Sequence, residues 1–422
     1  MTTEQDAGES EYNVRIVVGS LILGVFFGGV GGGVAFPTLP TLGAVLGISP
    51  FIVGVILSAN RFTRLLMNAP AGAVIDRIGI YKPMVVGLFI QALTPFGYFV
   101  GLHADRLPVG PGSVFVLSRL VWGVGAAFVF VGAFSTVTHV TTESNRGKWI
   151  GYFRGGQSLG FPTGLVTGGV LTDLYGYDTA FLFAGVTGLF AMVVAAVALP
   201  PIHSDVETPA RLRDIPSMVG TDNRIVSIGM VNLAVRFLFA GVLLSTVVLY
   251  ADTYGISIAG LSSVGSSGFF MAIAMLALSA TTLLSGRLSD RLDNRSLLAV
   301  PALGVFAFGF ALLGAVPSFP SMVVGIICIG VGVGGTNPPL MAFLGDLSSD
   351  ADVGKMGGVY NVFGDLGSTA GPLVALPVAD AVGYRIEYLA CAGLATLVLA
   401  MLVRTLVYAK QTTTRPRPIT ND

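Results

Sequence analysis

Gly72-Ala-Val-Ile-Asp76-Arg77-Ile-Gly79-Ile-Tyr-Lys82 is a short charged hinge, flanked by glycines, between two long apolar runs. A second copy stands downstream as Gly286-Arg-Leu-Ser-Asp290-Arg291-Leu-Asp293-Asn-Arg295, and 286 − 72, 290 − 76 and 291 − 77 all equal 214. Only 11% of the chain is charged, so a repeated cluster of charges is a designed feature. It points to a molecule with two related halves.

The surroundings fix the class of molecule. The 422 residues are 53% hydrophobic, and 11% charged is less than half the roughly 25% of ordinary soluble domains. Apolar runs such as 14–34, 84–100, 182–199, 297–316 and 389–403 are close to the length of a membrane-crossing helix. Lipid cannot satisfy backbone polar groups, so spans must be helices or a closed barrel. The short alternating segments of a barrel are absent. The expected fold is an all-α membrane protein.

Charged and Gly/Pro-rich punctuation divides the chain into twelve spans near 14–40, 49–76, 82–101, 112–140, 147–173, 177–200, 224–252, 261–287, 296–316, 319–346, 354–380 and 384–408. The expected organisation is a tail (1–13), a six-helix bundle (14–200), a polar linker (201–223), a second bundle (224–408) and a second tail (409–422). The acidic segment 1–12 lacks the basic region of a cleaved signal peptide, so the first apolar run is expected to be retained. With both termini inside, the cytoplasmic segments hold sixteen basic residues: Arg15, Arg77, Lys82, Arg146, Lys148, Arg211, Arg213, Arg224, Arg287, Arg291, Arg295, Lys355, Arg404, Lys410, Arg415 and Arg417. The external loops hold Arg106 and Arg385. That bias predicts a multi-pass cell-membrane protein with both termini cytoplasmic.

The halves are copies. Gly123-Val-Gly125 recurs as Gly330-Val-Gly332, Gly147-Lys148 as Gly354-Lys355, and Leu159-Gly160 as Leu366-Gly367. Gly164, Asp173 and Gly176-Tyr177 recur as Gly371, Asp380 and Gly383-Tyr384, every pair 207 apart. Two pseudo-symmetric six-helix bundles inserted the same way are the architecture of a rocking transporter.

At this level the chain resembles the major facilitator superfamily over nearly its whole length. Asp76, Arg77, Gly79 and Lys82 match that family's signature between its second and third spans. The downstream copy keeps Gly286, Asp290, Arg291 and Arg295, with Asp293 in place of the glycine. Arg119-Leu-Val-Trp-Gly123-Val-Gly125 resembles the family's fourth-span pattern. Gly156-x-x-x-Gly160-Phe-Pro162 with Gly168-Gly169 is an imperfect form of the antiporter motif, and the cleaner string is Gly367–Pro372 in the eleventh span. The resemblance implies alternating access. It also implies a conformational latch of Gly72, Asp76, Arg77, Gly79, Lys82 and Glu143, with the second copy as its counterpart. In it Asp76 would lie near the start of the eleventh span, whose helix dipole favours an anion, and Arg77 would reach Glu143. The blander alternative is that Arg77 and Lys82 only set orientation.

Five arginines remain inside spans: Arg61, Arg64, Arg119, Arg154 and Arg236. Asp365 is the acid near a span centre. Such groups are costly in lipid, and function is their default reading. Asn60, Arg61, Arg64 and Asn68 form one polar stripe at helical spacing. The family fold places the second and eleventh spans face to face, so Asp365 is expected to pair with Arg61 or Arg64. Either it exchanges a proton as that partner moves, or it forms a permanent ion pair. Tyr152, Phe153, Gln157, Asn232, Phe237, Asn337 and Asn361 are further cavity candidates. Cys328 and Cys391 read as packing residues.

The expected function is secondary active transport of a small organic solute or drug, by proton-coupled export. Arginine excess supports an organic-anion transporter or exchanger as the alternative. A non-transporting sensor or membrane enzyme lacks its added domain or clustered acids. No cofactor, metal or nucleic-acid partner is expected, and the partners are the substrate, protons and the bilayer. The chain is expected to work as a monomer.

Overall fold

Ser49 and Pro50 show how this sequence starts a helix. The Ser49 hydroxyl accepts the Ile52 N–H at 3.4 Å, and Pro50 occupies the first turn, where its missing N–H costs nothing. The helix that follows ends where Gly79 takes φ 83°, ψ 169° and donates its N–H to the Ile75 carbonyl at 2.9 Å. That combination is essentially open to glycine alone and costs a residue with a side chain about 1–3 kcal/mol, which is why a glycine stands there. Gly79→Ala is expected to lower the stability of the purified protein by about that amount in thermal melts.

The structure, a computed structural model, describes residues 14–104, 108–141, 146–199, 223–292, 295–346 and 353–413. The helices are α1 (Val14–Val45), α2 (Pro50–Ile78), α3 (Tyr81–Leu102), α4 (Pro111–Val140) and α5 (Arg146–Ala198). Then come α6 (Asn223–Arg236), a wide π-helical segment (Phe237–Leu243) and α7 (Leu244–Thr253), which form one continuous rod. The rest are α8 (Ser263–Ser289), α9 (Ala299–Ala315), α10 (Phe319–Asp346), α11 (Val353–Val382) and α12 (Tyr384–Thr413).

Among the described residues eleven helices are long and apolar enough to cross a membrane. α5 runs for 53 residues, roughly 80 Å at 1.5 Å per residue, which is far more than one crossing. It bends at Gly176 (φ 84°, ψ 170°) into arms 146–175 and 177–198, which are the fifth and sixth expected spans. Gly383, 207 residues on, takes φ 83° between α11 and α12, so the two copies share a turn as well as a sequence. The first expected span ends at residue 40, whereas α1 continues through Pro37 and Pro40 to Val45. The Thr38 and Thr41 hydroxyls donate back to the carbonyls of Val34 and Thr38 at 2.9 Å, so both are satisfied within the helix itself.

The chain divides into two compact units. The first is Met1–Pro209 with Ser257–Ala272, and the second is Ala210–Ile256 with Ile273–Asp422. The start of α8 therefore goes with the first unit, a departure from a cut at the linker alone. The reason lies in α5, where the Asp173 carboxylate accepts the Ser262 N–H at 3.0 Å. A side chain at Gly169 would begin 2.9 Å from the Val264 carbonyl oxygen, so the helices meet backbone to backbone.

Each unit is built around a glycine seam. In unit 1 a Cβ at Gly160, Gly164 or Gly168 would sit 2.8, 2.8 and 2.5 Å from the Cα atoms of Phe26, Val30 and Val34 on α1. In unit 2 a Cβ at Gly367 would sit 3.1 Å from Leu233 Cα, and one at Gly371 2.8 Å from the Phe237 carbonyl oxygen. Leu233 and Phe237 are Phe26 and Val30 moved by 207. Such approach suits lipid, where helix association depends on close packing and not on hydrophobicity. Cys328 and Cys391 are both free thiols.

Candidate functional site

The polar interior of unit 1 is centred on Phe36 of α1, which is 5% exposed. The Arg61 guanidinium of α2 and the Arg119 guanidinium of α4 each lie 5.6 Å from its ring centroid. Phe161 meets the same ring edge-on at 5.3 Å. Arg119 is 1% exposed and its Nε donates to the Ile56 carbonyl at 3.3 Å. The Tyr98 hydroxyl of α3 lies beside Arg119, yet among the described residues neither it nor Arg119 Nη2 makes a well-formed hydrogen bond. Aromatic faces stabilise guanidinium groups, more strongly where water is excluded. The arrangement therefore explains how two cations sit inside an apolar bundle.

Arg64 turns to another ring, Phe130, at 6.0 Å. The expected polar stripe is present on α2, with Oδ1 of both Asn60 and Asn68 buried and without a hydrogen-bond partner among the described residues. Arg154 is exposed on α5 and makes no part of this cluster. Near Arg119, one turn further along α4, Trp122 joins Gly28, Gly31, Gly32, Gln91 and Gly188 around a cavity with room for about one water. Trp149, at the start of α5, stacks edge-on against Tyr152 at 5.7 Å, with Lys148 Nζ 6.0 Å from the Tyr152 ring.

Unit 2 carries a different chemistry. Asn232 of α6 is 1% exposed, and its Nδ2 donates to the Tyr360 carbonyl on α11 at 2.6 Å. The Tyr360 hydroxyl donates to Asn337 Oδ1 on α10 at 2.9 Å. Gly364 makes room for this wall, since a Cβ there would lie 2.7 Å from Asn232 Nδ2 and 3.3 Å from Arg236 Cγ. Asp365 is the next residue, half-buried in mid-α11, and its carbonyl accepts the Thr369 hydroxyl at 2.7 Å. Asn361 and Arg236 are exposed. Packing thus brings Arg236 beside the residue preceding Asp365. The expected partners Arg61 and Arg64 belong to unit 1.

The hinge residues Asp76, Arg77 and Lys82 are exposed at one end of unit 1, and Gly72 is buried there. Glu143, the expected partner of Arg77, lies outside the described residues, as do Asp293 and residues 201–222 of the linker. In the second copy Asp290 and Arg291 are exposed, and Arg295 meets Asp346 at 3.8 Å across a partly exposed surface. Such a pair contributes about 0–1 kcal/mol, so it sets geometry more than stability. A Cβ at Gly286 would meet nothing within 4 Å, so among the described residues this copy of the glycine serves no close contact.

Two features lie outside what the sequence predicts. Glu387 is 3% exposed in the first turn of α12, and neither carboxylate oxygen has a hydrogen-bond partner among the described residues. An acid in a first helical turn normally faces solvent and complements the dipole. The signal that it does otherwise is its neighbours Tyr384, Tyr388 and Cys391, at helical spacing or adjacent, which mark a packed face. The second feature is the π-helical segment after Arg236.

The family model described as Major Facilitator Superfamily matches residues 21–303 and 262–421. An uncharacterised MFS-type transporter of Methanocaldococcus jannaschii is 24% identical over 309 residues, 72% of this chain and 75% of that protein. Multidrug resistance protein 2 of Bacillus subtilis is 29% identical over 179 residues, and the match spans 42% of either chain. Among solved structures, a bacterial homologue of the human lysosomal transporter Spinster, inward-facing and occupied, superposes with a TM-score of 0.78 at 15% identity. The superposition covers 97% of this chain and 100% of that one.

Proposed function

We propose, from the premise that the chain belongs to the major facilitator superfamily, that it is a secondary active transporter exporting a small organic solute or drug in exchange for protons. Members of the family carry small molecules across membranes, so a transporter and not an enzyme is the frame. The observation that carries the finer reading is the wall of unit 2. There a half-buried carboxylate, Asp365, stands in mid-helix beside the Asn232–Tyr360–Asn337 network. A carboxylate inside a membrane helix is costly, and its retention fits proton exchange or substrate contact. Arg61 or Arg64 is its proposed partner, released as the halves rock. The B. subtilis relative, by its name a multidrug resistance protein, supports export.

In this reading the chain sits in the cell membrane with both termini cytoplasmic, and works as a monomer. Asp76 and Arg77, with Asp290 and Arg291, latch the cytoplasmic ends. The test is dye accumulation in proteoliposomes under an imposed pH gradient, with ethidium as probe. Asp365→Asn is expected to abolish gradient-driven accumulation and to keep downhill exchange. Accumulation by the variant at the wild-type rate overturns the coupling role.

A second reading rests on Arg119, whose buried Nη2 lacks a well-formed partner beside Arg61 and Phe36. Those groups suit a carboxylate-bearing solute. Uptake of fluorescein in place of ethidium, lost in Arg61→Met, would move the assignment to organic anions.

A further inference from the structure

Lys148, Trp149 and Tyr152 form a stack at the start of α5, on the end of unit 1 that carries the hinge. Trp149 is partly buried and packs in one apolar cluster with Val14 and Val17 of α1, Ile80 of the hinge and Phe153. Its ring meets the Tyr152 ring edge-on, and the Lys148 ammonium stands 6.0 Å from that second ring. Tyr152 is 53% exposed. Its ring turns away from the polar interior, because Phe161, which packs on Phe36, lies nine residues further along the same helix. Nine residues at about 100° each put the two rings on opposite sides of α5. The Tyr152 side continues to Leu159, which is 56% exposed. Between them a Cβ at Gly155 would meet nothing within 4 Å, so the exposed apolar face has a bare step in it.

A second cation stands beside the stack. α1 and α5 run in parallel, with Gly156 against Ile22, Gly160 against Phe26 and Gly164 against Val30. The separations 156 − 22, 160 − 26 and 164 − 30 all equal 134. Two turns earlier the same register sets Arg15, which is exposed, level with Trp149. The second copy separates this cluster from a plain orientation signal. At the 207 offset Lys148 recurs as Lys355, but Trp149 and Tyr152 become Met356 and Val359. Orientation in a membrane needs only the charge, which both copies keep. The rings are unit 1's own.

We propose that Arg15, Lys148, Trp149 and Tyr152 bind the headgroup of an anionic phospholipid, with its phosphate between the two cations and an acyl chain over Gly155 against Leu159. Tryptophan and tyrosine settle at the headgroup level of a bilayer, and basic residues there attract anionic lipids. The contact with the Tyr152 ring holds the Lys148 ammonium at the edge of the apolar face, where a lone lysine would extend into water. A soluble anion would meet the charges but leave the apolar face beside them uncovered. A lipid covers both. The site uses neither Asp365 nor the interior arginines, so it stands apart from the coupling and substrate readings.

Trp149 reports on the site directly. In full-length Trp122→Phe protein it is the sole tryptophan. That protein is placed in phosphatidylcholine nanodiscs containing a minor share of one brominated lipid, either phosphatidylglycerol or phosphatidylcholine. Bromine on the acyl chains quenches only nearby indole, so the ratio of the two quenching affinities measures the preference for the anionic headgroup. Brominated phosphatidylglycerol is expected to quench more strongly. Arg15→Gln and Lys148→Gln are each expected to lower the preference about fivefold. Arg154→Gln removes an equal charge about 200° around α5 from Tyr152, and is expected to leave the preference unchanged. Equal quenching by the two lipids in the parent protein overturns the proposal. So does a fall in Arg154→Gln as large as that in Lys148→Gln, which would show diffuse surface charge only. Should Trp122→Phe not fold, melting temperatures of the protein with both tryptophans are compared in nanodiscs with and without phosphatidylglycerol. A rise that Lys148→Gln removes and Arg154→Gln keeps is expected, and the absence of a rise overturns the proposal.

Discussion

Gly367→Leu is expected to abolish the recovery of folded protein, whereas Gly151→Leu is expected to be tolerated. Both glycines belong to the repeated register, Gly367 as the counterpart of Gly160 and Gly151 as that of Gly358, but they meet different surroundings. A Cβ at Gly367 would start 3.1 Å from Leu233 Cα and closer still to its carbonyl, and these are backbone atoms that cannot rotate away. At Gly151 nothing lies within 4 Å. Overpacking in a core costs about 1–3 kcal/mol when side chains can adjust. Here α6 and α11 must separate along the whole seam, so the cost exceeds that range and takes a large share of the roughly 5–15 kcal/mol that holds a domain together. The exposed helical position should change by no more than about 0.5 kcal/mol. Fluorescence-detected gel filtration with a temperature ramp reads both. A monodisperse Gly367→Leu protein with a wild-type melting temperature would show that the seam is looser than its geometry.

The second large effect is a gain. Glu387→Met is expected to raise the melting temperature, because an apolar side chain of similar length replaces a buried carboxyl neither of whose oxygens has a partner among the described residues. Leaving a buried polar group unsatisfied costs about 1–3 kcal/mol, and removing it recovers a similar amount. The Arg385 guanidinium, two residues away, is committed elsewhere, since it donates to the Gly314 and Ala315 carbonyls at 3.1 and 2.9 Å. Glu387→Gln keeps a polar group in the same place and should gain less. A group held at such cost inside a membrane helix is a functional candidate. The expected companion result is slower ethidium transport in the more stable Met variant. A fall in melting temperature for Glu387→Met would mean that the carboxyl is satisfied in the folded protein.

The helices are legible in the sequence because apolar runs and charged punctuation are coarse signals that tertiary context rarely overturns. The 207 register locates the Gly176 and Gly383 turns, which share φ of +84° and +83°. α1 reads short at Pro40 because the rule that proline ends a helix belongs to water. In a membrane bundle neighbouring helices and local adjustment compensate the bond that a proline removes, so α1 runs on to Val45. The intramembrane arginines are legible as residues, since each breaks an apolar run, but their contacts are not. Nothing in spacing says that Arg61 and Arg119 share Phe36, because that meeting joins three helices far apart in sequence. Position alone misjudges Glu387, because a span end reads as wet. The wide turn is marked by one extra residue in the second copy, since Gly47-Ile-Ser49 recurs as Gly255-Ile-Ser257, 208 and not 207 residues on. It shows only when the offset beyond the segment is compared with the 207 of the rest.

The chain has two tryptophans, Trp122 and Trp149, and both lie in the first unit. One borders the small cavity near Arg119 and the other stacks on Tyr152 at the start of α5. Intrinsic tryptophan emission is therefore a half-molecule signal. Quenching, lifetime changes or an unfolding curve recorded at tryptophan wavelengths describe the first copy, while the second, with its wide turn and its buried glutamate, is optically dark. An equilibrium melt followed by fluorescence and by circular dichroism would then separate the two halves without a single label, and any gap between the curves would measure how independently they fold.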